Sequence, residues 1–235
     1  LSRAEKRSPG LLGLFMVFVF YLTFSGQAVA CTVTNTNDSG AGSLRQCITT
    51  ANATPGTTIA FNIPNTDPNY TNGGSGTNYW WQITPATAAL PLPAISAANT
   101  VIDGTTQTTN QGNTNLLGPE IEINGATVGT GGHDGFGVVT PATGVIIKGF
   151  IINRWSGAGI SLWTGTGTVT SNYIGTDYAG TAALANTLYG VYVNSNGNAI
   201  GGATAAERNV IAGNGSRGIY LVGSNNTIQG NDIGV

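Results

Sequence analysis

Tyr192 and Tyr220 stand 28 residues apart in the strings Gly190-Val191-Tyr192-Val193 and Gly218-Ile219-Tyr220-Leu221, and Trp163 follows a third copy, Gly159-Ile160-Ser161-Leu162. Aromatic faces repeated at one register can pack on sugar rings or on each other. On neighbouring strands of a stack the two tyrosines are expected about 4.8 Å apart. Trp163 then rims the same surface one turn earlier, and the segment 176–189 is placed to form a wall. Tyr192, Tyr220 and Trp163 are therefore the candidate carbohydrate-binding residues.

The titratable residues offer less. Polysaccharide lysis on a β-scaffold needs clustered Asp or Glu for a cation with a basic partner, and glycoside hydrolysis needs two carboxylates at close range. Asp103 precedes Gly104 and reads as a turn residue. Glu120 and Glu122 alternate with Ile121 and Ile123, which predicts one solvated strand face. His133-Asp134-Gly135 lies in a glycine-rich loop, where the lone His is a general base only if a carboxylate stands beside it. Asp177 reads as a turn cap. No phosphate loop, no Cys/His metal spacing and no EF-hand loop occurs, so no catalytic residue, metal or cofactor is assigned.

Asn172, Asn209 and Asn231 share one repeat position and predict a stacked ladder bonded to the turn backbone. The only two cysteines are Cys31 and Cys47. In an oxidising compartment they form a disulfide worth roughly 3 kcal/mol; the competing reading makes Cys31 a lipidated N-terminus.

The elements that position these residues are repeats. Residues 151–175 align without gaps on 210–234 with eight identities. Turn starts at 137, 159, 190 and 218 give spacings of 22, 31 and 28, with loops inserted within 176–189 and around 202–208. Three rows are uniformly apolar: Val138/Ile160/Val191/Ile219, Ile147/Val169/Ile200/Ile228 and Ile152/Ile174/Ile211/Ile233. These face inward. The outward rows are Val139/Ser161/Tyr192/Tyr220, Ile146/Thr168/Ala199/Thr227, Lys148/Thr170/Gly201/Gln229 and Ile151/Tyr173/Val210/Asp232, with one carboxylate and one lysine on different sheets.

Three strands per turn make an all-β chain, a parallel β-helix rather than a closed barrel, right-handed as parallel crossovers are. Residues 31–63 form its cap, with strands at 32–35 and 58–63 and a short helix around Leu44, Cys47, Ile48 and Ala51 opened by a Ser43/Gln46 capping box. Residues 137–235 are the in-register turns, and the chain stops at Val235 inside a repeat, which suggests a truncated C-terminus.

Composition agrees. With 36 Gly, 8% charged residues and a formal net charge of -2, the chain is not a helical bundle, a polyelectrolyte or a nucleic-acid binder. Arg3, Lys6 and Arg7 precede an apolar run from Leu11 to Phe24 and then Ala28-Val29-Ala30, so residues 1–30 read as a secretory signal cleaved after Ala30. Cleavage removes three of eight basic and one of ten acidic residues, which leaves a mature chain of charge -4 without a membrane span. An uncleaved anchor is the alternative.

The stretch TVTNTNDSGAGSLRQCITTANATPGTTIAFNIP, with VIDGTTQ, NYIGTDYAGTAALAN, GNAIGG, RNVIAGNGSRGIYL and NTIQGNDIG, resembles bacterial secreted parallel β-helix proteins of the pectate-lyase-like superfamily with a CSLREA-like N-terminal cap. The resemblance covers nearly all of 31–235. It implies a secreted or cell-surface protein, and the pairing of Cys47 with Cys31 as a departure from the small residue usual at that helix position. Because this architecture hosts enzymes, adhesins and scaffolds alike, function is read from the rows. They point to a non-catalytic scaffold that binds polysaccharide or a cell-surface ligand. The alternative is a polysaccharide lyase or glycosidase whose active residues lie near Asp103 to Asp134 or beyond Val235.

Overall fold

Alternating β-branched and small polar residues, broken every few positions by glycine or asparagine, drive this chain into short strands joined by tight turns. The computed structural model describes residues 30–74, 76–86 and 91–234. The expected signal segment, apart from Ala30, lies outside the described residues. The protein is mostly strand, with two α-helices and one short 3₁₀ turn among the described residues.

Three sheets organise the strands. Sheet I has four: Phe136–Val138, Ile160–Leu162, Tyr189–Val193 and Arg217–Leu221. Sheet II has seven: Ala30–Val33, Thr58–Phe61, Val101–Asp103, Val145–Lys148, Gly167–Thr170, Ala199–Gly201 and Thr227–Gln229. Sheet III has seven: Tyr70–Thr71, Trp80–Ile83, Ile121–Asn124, Phe150–Asn153, Tyr173–Ile174, Val210–Ile211 and Asp232–Ile233. From Phe136 onward the chain visits I, II and III in rotation. Among the described residues every strand pairing is parallel except Tyr70–Thr71 with Trp80–Ile83, and no sheet closes into a barrel.

The inward rows run farther than the repeats. In sheet II, Ile59, Ile102, Ile147, Val169, Ile200 and Ile228 stand in one register. In sheet III the row is Ile83, Ile123, Ile152, Ile174, Ile211 and Ile233. All but the last member of each row are buried, and each such side chain contributes about 1.5–3 kcal/mol by leaving water. Ile228 and Ile233 are 40% and 48% exposed.

One register differs from the sequence reading. Val138 pairs with Leu162, and Phe136 stands opposite Ile160, so the first inward row is Phe136/Ile160/Val191/Ile219. The connection 139–144 is two residues longer than 163–166, and this insertion displaces the copy that begins at Gly137. Consequently Gly137, not Val139, lies opposite Ser161. In the outward row of sheet III, Ile151 is fully buried rather than exposed.

Asparagines hold the corners. Where the strands break off, backbone groups lose their ladder partners and need others. Asn172 Oδ1 accepts from Phe150 N–H and its amide donates to Ile147 C=O; Asn209 does the same for Asn172 N–H and Val169 C=O, and Asn231 for Asn209 N–H and Ile200 C=O. The ladder thus bonds chiefly the preceding turn, where bonding within each residue's own turn was expected; Asn231 alone also donates to Gln229 C=O of its own turn. Shorter ladders at the other two corners, Asn186/Asn214 and Asn198/Asn226, repeat the device.

At the N-terminal end, helix α1 (Leu44–Ala53) buries Leu44, Cys47, Ile48 and Ala51. Ser43 Oγ accepts from Gln46 N–H, but Gln46 Oε1 reaches Gly42 N–H because Ser43 N–H already donates to Gly40 C=O, so the expected capping box closes one residue early. A Cys31–Cys47 disulfide ties the first strand of sheet II to α1. Helix α2 (Thr105–Gln111) carries no apolar stripe to announce it; Gln107 fixes it by bonding both Ile63 N–H and C=O.

Candidate functional site

Sheet I presents its outward row between two loops. Register places Ser161 beside Tyr192 and Tyr192 beside Tyr220. The rings of Tyr192 and Tyr220 lie 5.6 Å apart, and Trp163 meets Tyr192 edge-on at 4.7 Å. All three sequence-nominated residues therefore converge on one cleft of about 260 Å³. They touch each other and the cleft at once, so mutual packing and ligand contact are not exclusive here.

Four further residues take part that the sequence pattern does not nominate for this site. Tyr189 stacks at 5.6 Å on Tyr192 and lies 4.9 Å from Tyr220. A period of two puts residues 189 and 192 on opposite faces, but Gly190 and Val191 are both buried and interrupt the alternation, so both tyrosines emerge on one side. Arg217 lies over the Tyr220 ring at 4.6 Å, a cation–π contact that stiffens the outer rim. Asp134 Oδ2 accepts from Trp163 Nε1 at 2.9 Å while Oδ1 accepts from Ala158 N–H at 2.7 Å. The carboxylate thus fixes the angle of an indole that remains 43% exposed.

Ser161 is the fourth. It is 1% exposed and lines the cleft, and its Oγ is the one buried side-chain polar atom among the described residues without a hydrogen-bond partner. Such a group costs about 1–3 kcal/mol unless something bonds it. The repeat pattern places Ser161 in an outward row but does not reveal its cover of aromatic rings.

A second hollow of about 280 Å³, lined by Leu92, His133 and Val139, shares Gly132, Asp134 and Trp163 with the cleft. Gly137 leaves its floor open, since no atom stands within 4 Å of where a Cβ would project. Trp163 is the ridge between the two. No carboxylate among the described residues pairs with the His133 ring, and no group of three His, Cys, Asp or Glu converges there. The chemistry available is stacking and hydrogen bonding.

The upstream acids are spoken for. Asp103 accepts from Thr105 N–H and Oγ1 and pairs with Lys148 at 2.9 Å. Glu120 and Glu122 are buried, contrary to the expected solvated face, because loops roof this strand. Glu120 accepts from Thr114 and Asn115, and burial pushes its carboxyl above the ordinary value against the pull of those bonds. Glu122 Oε1 accepts from Asn124 and Arg154, and Oε2 from Trp80 and Gln82. Asp177 Oδ1 caps its turn at Thr181 and Ala182 N–H, as expected.

No helix among the described residues is long and apolar enough to cross a membrane, and the disulfide fits an oxidising environment. Comparison with known proteins finds no matching family model, no matching curated protein and no matching solved structure.

Proposed function

We propose that this chain is an exported, right-handed parallel β-helix protein that binds polysaccharide, or a glycan of a cell surface, through the sheet I cleft without chemical conversion. Rotation of the chain through three parallel sheets and the long aliphatic rows support the architecture. Export rests on the signal-like 1–30 segment and agrees with the disulfide. The family resemblance of 31–235 to secreted bacterial β-helix proteins belongs to the same reading.

One observation carries the function: four aromatic rings, of Trp163, Tyr189, Tyr192 and Tyr220, line a cleft in which the buried Ser161 hydroxyl has no protein partner. Flat rings accept the C–H faces of sugars. Stacking tolerates many sugars, so affinity is weak and specificity broad. The lyase or glycosidase reading loses support from the engagement of Asp103, Glu120, Glu122 and Asp134 in protein hydrogen bonds.

The test is affinity electrophoresis of wild type and Tyr192→Ser/Tyr220→Ser on a panel of plant and bacterial polysaccharides. At least one polysaccharide should retard the wild type, and the variant should lose that retardation at unchanged thermal stability. Unchanged retardation of the variant, or none for the wild type on any polysaccharide, rejects the cleft as a glycan site.

A further inference from the structure

A larger cavity opens at the upstream end of sheet III. It holds about 500 Å³, within the roughly 300–1,000 Å³ of small-molecule sites. One wall is the antiparallel pair Tyr70–Thr71 and Trp80–Ile83; the other is the inserted loop 176–189. Trp80 is clamped between Gly73, where a Cβ would meet the indole at 2.7 Å, and Tyr178, stacked on it at 4.4 Å with 13° between the rings. The indole N–H is committed to Glu122 Oε2 at 2.7 Å. The aromatic wall is thus rigid, and Tyr178 and Leu184 supply its apolar lining.

The charges decide what fits. Glu122 is saturated by four donors. Arg154 gives Nη1 to Glu122 Oε1 at 3.1 Å and to Asn153 Oδ1 at 3.2 Å, while its Nε and Nη2 meet no acceptor among the described residues. Its backbone is held at φ 60, the left-handed region, where the register-equivalent position of a later turn in sheet III is Gly213. Here that strained position carries a guanidinium, at a cost of about 1–2 kcal/mol. Asp177 commits only Oδ1, to Thr181 and Ala182, and it forms no ion pair among the described residues. Arg154 and Asp177 thus line one cavity, and each keeps a polar group, a guanidinium edge and a carboxylate oxygen, without a hydrogen-bond partner among the described residues.

We propose that this cavity binds a small zwitterion, a free α-amino acid or dipeptide. Arg154 takes the carboxylate, Asp177 takes the ammonium, and an apolar side chain lies on Tyr178 and Leu184. A purely anionic ligand would leave Asp177 opposed to it, and a purely cationic one would leave the guanidinium edge unmatched. The proposal is independent of the glycan reading, since the two cavities share no residue.

Equilibrium dialysis of the full chain against L-phenylalanine, its N-acetyl derivative, its amide and the dipeptide Leu-Phe tests this. Phenylalanine or Leu-Phe should bind saturably with a dissociation constant of about 1 mM or tighter, and whichever binds better identifies the source. The acetylated and amidated forms should bind at least tenfold more weakly. Asp177→Asn keeps the Oδ1 turn bonds, so it should fold normally and lose at least tenfold for the zwitterion; Arg154→Lys should do the same while keeping a cation beside Glu122. The absence of saturable binding by both zwitterions, equal binding of the amide or the acetyl form, or an unaffected Asp177→Asn variant overturns the proposal.

Discussion

Trp163 and Trp80 each donate an indole N–H to a carboxylate, at 2.9 and 2.7 Å, yet the two sites differ in what remains available afterwards. Around Trp163 the carboxylate of Asp134 orients the ring and the ring stays 43% exposed. Around Trp80 the carboxylate of Glu122 gathers four donors and the ring is 6% exposed, closed in by Gly73 and Tyr178. The downstream cleft thus offers aromatic faces and one hydroxyl, whereas the upstream cavity offers the charges left over from an internal network. An aromatic residue beside an acid is not in itself a site; the unspent valences decide.

The comparison breaks first at Glu122. Glu122→Ala removes the acceptor shared by Trp80, Gln82, Asn124 and Arg154 and leaves a guanidinium without its buried partner, which should cost about 3–5 kcal/mol. Urea unfolding followed by circular dichroism measures it. A loss below about 1 kcal/mol would mean that the network is dispensable and that the two tryptophan sites are alike.

A smaller effect separates a buried rung of the asparagine ladder from a half-buried one. Asn209→Ala orphans Asn172 N–H and Val169 C=O inside the core and should destabilise by about 1–3 kcal/mol. Asn231→Ala, at the half-buried rung, should cost less than about 1 kcal/mol. Thermal midpoints of the two variants give the order directly, and an equal loss would contradict the layered account.

The smallest concerns pH. Burial raises the Glu120 carboxyl above 4.5 in the folded chain, so folding favours its protonated form. Its contribution is therefore fully present below the unfolded value and is lost as pH rises through the folded one. Stability of Glu120→Gln should show a shallower decline than wild type as pH climbs from about 4.5, in unfolding curves at a series of pH values. Identical slopes would show that the Thr114 and Asn115 bonds offset the burial completely.

Sequence periodicity revealed what repeats and little else. The aliphatic rows, Asn172/Asn209/Asn231 and the Tyr192/Tyr220 pair were legible because each recurs at a fixed turn. Tyr189 was not, since a local break at Gly190 and Val191 undoes the alternation. The Glu122 cavity was not, because its roof comes from a hairpin and an inserted loop, neither of them repeated. The first register slipped by two residues for the same reason: the 139–144 connection is longer than its counterpart. Ser161 shows a further limit, for an outward position in the pattern says nothing about neighbouring rings that cover it.

Hydrogen–deuterium exchange of the full chain, with and without a polysaccharide that retards it, addresses the glycan reading most directly. Protection should rise at Ile160–Leu162 and Trp163, Tyr189–Val193 and Arg217–Leu221, with no change at Trp80–Ile83 or Ile121–Asn124. Protection confined to the latter strands, or absent from sheet I, would contradict the aromatic cleft as the binding surface.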